Sequence, residues 1–240
     1  NTKVAVNSQR AASTHWFATG NAYNRPKYLQ STQIPIASGQ TLSFTSPYGG
    51  PLQIFFDAND QAVSFEIENI GLHPYWNGAE DNAEFEARLN AGEFDWAELS
   101  TSGFEVHSQL EKMRKSMTDW GSTAADMALA TERYVSNLPH VLAGFEGPGI
   151  DVMAEVHDFA DTNGFDVQNI DIVKHMNADQ PTCGWGCSGN PYDAGWNFSP
   201  IGHGDIHELG HGLEKGKFRF GNWEGHSTTN FYSYHSKYHY

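Results

Sequence analysis

Close to the C-terminal end of the chain lies His207-Glu208-Leu209-Gly210-His211, the pattern H-E-x-x-H. On a helix, residues four apart stack on one face, so imidazoles at 207 and 211 can grip one metal ion. Glu208 sits beside them, where its carboxylate can take a proton from the water that the metal activates. The bland reading is a pair of surface histidines on a solvated helix, in a chain with 12 His and 29 Asp plus Glu. Ile206, Leu209 and Leu213 argue against it. They fall at helical spacing and give the segment an apolar side, as a buried active-site helix needs. Metal-dependent hydrolysis, with the peptide bond as the leading substrate, is the chemistry this motif predicts.

Two histidines do not complete such a site; a catalytic zinc ion usually has three protein ligands and a water. The extended motif of the metzincins would need Gly three residues and His six residues after His211. Glu214 and Lys217 stand there, which excludes that class. Glu214 lies one turn past His211, where a carboxylate orients an imidazole or closes the helix end. His203 would put three imidazoles in a row, but a straight helix does not easily converge residues spread over two turns on one ion. Glu224 is the best-placed candidate. It follows Gly216 and Gly221, which let the chain reverse, and its surroundings, Gly221-Asn-Trp-Glu-Gly-His226, are too apolar and Gly-rich for an ordinary charged surface. His226 is a candidate for orienting a ligand or touching substrate, with a hydrogen-bonded structural histidine as the competing role. Donors for a developing oxyanion are available in Tyr232, Tyr234, Tyr238 and Arg219, most of these tyrosines being expected to pack.

The elements that must position these residues follow an α+β order. Up to about residue 70 the chain reads as β-rich. Thr32–Ile36, Thr41–Thr45, Leu52–Phe56 and Ala62–Glu68 carry strand patterns, with turn chemistry at Ser46-Pro-Tyr-Gly-Gly50. A small antiparallel sheet is expected there. From about residue 80 the period becomes helical. Helices are predicted over Asn82–Asn90, Ser108–Trp120, Ala124–Leu142 with an interruption near Pro139, and Ile150–Thr162. Asp166–Val173 reads as a strand, Gln180–Pro200 as a Gly/Pro/aromatic loop, and Gly204–Gly216 as the metal helix.

Composition narrows the partners. A formal charge of −15 argues against nucleic acid and anionic membrane surfaces. No apolar run is long enough for membrane insertion, and no signal peptide is recognised. The chain opens on Asn1 rather than Met, as a processed secreted protein or an excised fragment would. The two cysteines stand in Cys183-Gly-Trp-Gly-Cys187, whose Gly-rich spacer allows a small disulfide loop suited to an oxidising compartment. Free thiols are the alternative; a second metal site is a weak third, because no other thiol pair is at hand.

His207-Glu-Leu-Gly-His211 with Glu224 thirteen residues on resembles the M60-like (enhancin-type) gluzincin peptidases, whose signature is H-E-x-x-H, a variable spacer and Glu. Ser46-Pro-Tyr-Gly-Gly50, Asp95-Trp-Ala-Glu-Leu99 and Ser188-Gly-Asn-Pro-Tyr-Asp193 fit that family in order along the chain. The resemblance implies an accessory β-rich domain over 1–78 and a zincin-like metallopeptidase catalytic domain over 79–240. It also implies a secreted bacterial enzyme, here taken as a monomer, that uses Zn²⁺ to cleave O-glycosylated, mucin-like proteins or glycopeptides. By position, Asn190, Tyr192, Asp193 and Trp196 would face the glycan, with Arg219 a weaker candidate; an Asx-type turn at Asn190-Pro191 is the structural alternative. Family members usually continue past the third ligand into a helical subdomain, whereas this chain stops sixteen residues after Glu224, so the catalytic domain is expected to be truncated at that end.

Two other functions compete: a zinc peptidase without glycan dependence, and a glycan-binding adhesin module with a non-catalytic metal site. Glu208 disfavours the latter, since a structural site needs no base and usually closes with four protein ligands. A glycosidase would need a pair of carboxylates that nothing in the chain singles out.

Overall fold

The computed structural model describes residues 2–6, 32–45, 51–56, 62–78, 82–169, 174–177, 198–213 and 225–240. The chain divides into two compact units, Asn1–Gly71 and Leu72–Tyr240.

The first unit holds a three-stranded antiparallel sheet. Strand β1 (Thr2–Val6) lies between β2 (Ile34–Ile36) and β3 (Leu52–Phe56). In register, Val4 faces Ile34 on one side and Ile54 on the other. β1 is the strand that sequence patterning overlooked, yet it is central, and Val4, Ala5 and Val6 are buried. Two expected strands are corrected. Thr41–Thr45 and Ala62–Glu68 are irregular, and Phe44, Val63, Phe65 and Ile67 are exposed. Alternating side chains make a strand only where they meet backbone partners, and among the described residues neither segment pairs with a strand.

The second unit carries the core. Its four-stranded sheet has the order β4-β5-β6-β9, from β4 (Tyr75–Trp76), β5 (Trp96–Ser100), β6 (Phe104–Gln109) and β9 (Lys174–Asn177). β5 and β6 form an antiparallel hairpin, while β4 and β9 run parallel to their neighbours. The short parallel pair β7 (Phe145–Glu146) and β8 (Gln168–Asn169) stands apart. The expected strand at Asp166–Val173 is thus seen as β8; residues 170–173 lie outside the described residues. Helix α1 (Asn82–Ala91) matches its prediction, but α2 (Leu110–Trp120) starts two residues later than expected. Ser108 belongs to β6 instead, opposite Ala97, because pairing with β5 outcompetes the local helical period.

Helix α3 (Ala124–Ala130), a π-helical segment (Thr131–Asn137) and α4 (Leu138–Leu142) follow without a break in the chain. The expected interruption at Pro139 becomes a widening just before it. The Leu138 N–H donates to the Arg133 carbonyl five residues back. A proline has no N–H and crowds the carbonyl four residues earlier, and a wide turn relieves both. Helix α5 (Ala154–Asn163) ends on Gly164, whose φ of 67° closes the helix in the left-handed conformation. Helices α6 (His203–Leu213) and α7 (Gly225–Tyr238) complete the unit. Trp76, Phe85, Leu99, Phe104, Met113 and Met127 build one continuous core with Ile206, Leu209 and Leu213 of α6.

Candidate metal centre

Helix α6 places the motif, and its sequence explains how. Ile206, Leu209 and Leu213 are at most 1% exposed. Burying each contributes about 1.5–3 kcal/mol, which anchors the helix by one face. At its N-terminus, Asp205 is fully buried, and its Oδ2 accepts from the Ser199 N–H at 3.1 Å. A negative charge in the first turn also suits the helix dipole. A Cβ on Gly202 would stand 2.1 Å from that oxygen, so glycine is required there. Asp205 is a structural residue that the motif search passed over.

With the apolar face inward, His207, Glu208 and His211 are half-buried on the same helix. One ligand atom from each lies within 4.8 Å of the others. The rings of His207 and His211 meet edge to face, with centroids 4.8 Å apart. So gathered, the two imidazoles and the carboxylate beside them could hold a metal ion.

Helix α7 packs against α6, and Gly210 lies at the contact. A Cβ there would lie 2.7 Å from Tyr232 Cδ2 and 3.2 Å from Thr229 Cβ. The glycine inside H-E-x-x-H is therefore a contact point between helices. Tyr232 is buried, and its hydroxyl donates to the Leu213 carbonyl at 3.3 Å, closing the C-terminal end of α6. Two groups of α7 reach His207. Thr229 Oγ1 lies 2.7 Å from Nδ1, and Nδ1–H donates to Asn230 Oδ1 at 3.1 Å. His203 is exposed; it stacks on His207 and its Nε2–H donates to the same Asn230 oxygen at 3.0 Å.

The structure thus brings together His207, Glu208 and His211 and turns His203 towards Asn230. Of the oxyanion candidates, Tyr232 is committed to packing and to Leu213, while Tyr234 and Tyr238 are exposed. Glu214, Arg219, Glu224, the loop residues Asn190, Tyr192, Asp193 and Trp196, and Cys183 with Cys187 lie outside the described residues, as does the side chain of His226. Sequence reasoning missed Thr229 and Asn230. The available signal was chemical: a metal-bound imidazole almost always has a partner for its other nitrogen.

A second polar cluster sits in the β5–β6 hairpin, where Glu98 and His107 face each other across the strands. His107 Nδ1 is 3.0 Å from Glu98 Oε1, its Nε2 is 3.3 Å from Glu105 Oε2, and His73 Nε2 is 3.3 Å from Glu98 Oε2. Burial alone would lower the His107 pKa, but hydrogen bonds to Glu105 and Glu98 hold it up at about 9. Burial pushes Glu98 up, yet the hydrogen bonds from His107 and His73 pull it well below the usual carboxylate range.

No protein-family model matches the chain. Individual relatives do. The chain is 32% identical over 254 residues to the immunomodulating metalloprotease of Pseudomonas aeruginosa, covering 97% of this chain and 27% of that protein. The likeness to the M60-like metallopeptidases therefore holds. A solved structure of the metallopeptidase IMPa from Pseudomonas aeruginosa, in complex with an O-glycopeptide, superposes with a TM-score of 0.72 at 23% identity, over 99% of this chain and 29% of that one. The M60 catalytic domain of Clostridium perfringens ZmpC, in complex with the sialyl T antigen, superposes with a TM-score of 0.56 at 12% identity, over 96% of this chain and 46% of that one. These two share the α+β fold of this chain. The chain spans about a quarter of the length of the curated relative it matches.

Proposed function

We propose that this chain carries the catalytic centre of a secreted zinc endopeptidase that cleaves O-glycosylated, mucin-like proteins. The observation that carries the reading is the gathering of His207, Glu208 and His211 on a helix anchored in the core. His207, His211 and Glu224 are the proposed zinc ligands. When bound, zinc supplies a Lewis acid that polarises the scissile carbonyl and makes a water acidic near neutral pH. Glu208 accepts the proton of that water and passes it to the leaving amine. Glu214 and His226 are proposed to orient the ligands, and Cys183 and Cys187 to form a disulfide.

The substrate class rests on the relatives. The similar Pseudomonas metallopeptidase has been captured with an O-glycopeptide, and the Clostridium M60 domain with the sialyl T antigen. Asn190, Tyr192, Asp193 and Trp196 offer sugar-binding chemistry, with Arg219 as a further contact: hydroxyl partners from Asp and Asn, an apolar ring face from Trp. The charge of −15 disfavours nucleic acid as a partner. Among the described residues, no helix is long and apolar enough to cross a membrane. The enzyme is proposed to act as a monomer.

The test is cleavage of a mucin-like glycoprotein before and after enzymatic removal of its O-glycans. Loss of cleavage on deglycosylation is expected. Undiminished cleavage would replace the reading with that of a glycan-independent zinc peptidase.

A further inference from the structure

We propose that Asn230, assisted by Thr229, is the positioning residue of the metal site: its one carboxamide oxygen orients His207 and ties His203 to it. The inference rests on the zinc reading above. An amide oxygen only accepts hydrogen bonds, so both ring nitrogens facing Asn230 Oδ1 must carry protons. His207 Nδ1–H donates at 3.1 Å and His203 Nε2–H at 3.0 Å. In its neutral form His207 then bears its lone pair on Nε2, the nitrogen that would bind metal, with Thr229 Oγ1 3.3 Å from it. Thr229 Oγ1, on a fully buried residue 2.7 Å from the same Nδ1, leaves the ring little room to rotate.

His203 reads as a buttress in this arrangement. Its ring stacks on His207 with centroids 6.1 Å apart, the Tyr234 ring lies tilted to it at 5.9 Å, and Ser233 Oγ donates to its carbonyl at 3.0 Å. Every one of these groups other than the histidines comes from α7. That helix begins at Gly225, directly after Glu224 in sequence. The segment carrying the proposed third ligand therefore leads straight into the helix that orients the first. Sequence spacing makes one short stretch, Glu224 to Asn230, responsible for both.

Zinc affinity, measured by competition with a chromogenic chelator, and the tautomer of His207, read from imidazole ¹⁵N shifts of the zinc-free protein, test the proposal. Asn230→Ala should weaken zinc binding by about 10–100-fold and mix the His207 tautomers. Asn230→Asp, which keeps an acceptor at that place, should restore both. Phe231→Ala, at a neighbouring residue that is 64% exposed, should change neither. Wild-type zinc affinity and an unaltered His207 Nδ1–H signal in Asn230→Ala would overturn the positioning role. If the alanine variant loses helical signal, Asn230→Asp against Asn230→Leu decides: equal zinc affinity of the two refutes the role. His207→Ala and His211→Ala variants that bind zinc like wild type would overturn the metal reading itself, and this inference with it. Loss of zinc in those variants beside a neutral Asn230→Ala would remove the positioning role alone.

Discussion

The duties proposed for Glu208 and the histidines beside it are separable, and substitution should part them. Glu208→Ala removes a proton acceptor and leaves both imidazoles in place. Zinc content should persist while turnover falls by about 10²–10⁴-fold, the usual share of a general base; undiminished turnover would refute the role. The third ligand is decided by metal content. Glu224→Ala should lose zinc and Glu214→Ala should keep it, as read by metal analysis after dialysis, and the reverse pattern would move the ligand to Glu214. The gathering of His207, Glu208 and His211 was legible in the sequence because a fixed spacing on a helix fixes which side chains share a face. Thr229 and Asn230 were not legible, since their partner lies more than twenty positions away and nothing local marks a residue as the neighbour of a distant ring.

Between elements, the decisive contact is that of α6 with α7. Gly210→Ala gains up to about 1 kcal/mol of helix propensity but forces a Cβ against Tyr232 Cδ2 and Thr229, at 2.7 and 3.2 Å. Overpacking of that kind costs about 1–3 kcal/mol, so the net effect should be destabilising. A drop of a few degrees in thermal midpoint is expected, larger for Gly210→Val, with zinc affinity falling in parallel as Thr229 and Asn230 move off His207. An unchanged midpoint in both variants would show that the helices do not need this approach. Helix α7 itself was hidden from sequence patterning. Gly225-His-Ser-Thr-Thr-Asn-Phe-Tyr-Ser-Tyr lacks strong helix formers, and beside Tyr232 the buried side chains described on α7, Thr229, Ser233 and Ser236, are small and polar. Packing against α6 supplies the stability that propensity does not. The β5–β6 hairpin was missed for a related reason: a strand of five or six residues is defined by the partner across from it.

Across the whole molecule, the buried cluster around His107 ties stability to pH. A histidine raised from 6.5 to about 9 adds stability that is complete below pH 6.5 and is lost as pH climbs through about 9. Glu98, lowered from 4.5, adds stability that is present above pH 4.5 and is lost as pH falls towards its depressed value. This network is therefore at full strength between about pH 4.5 and 6.5. Thermal midpoints should decline from pH 6.5 to 9, and His107→Gln should flatten that decline; an equally steep alkaline loss in the variant would assign it to other groups.

The α+β order, the helical periods of α1 and α2, and the identity of the metal motif follow from the sequence by itself, because each depends on spacing within about a dozen residues. The central place of β1, the merger of Pro139 into a widened helix, the pairing of Glu98 with His107 and the grip of α7 on His207 were decided by the tertiary structure. Each depends on which distant surface is buried against which. The two levels meet in Gly210: the motif leaves that position open, and the approach of a second helix allows only the residue without a side chain.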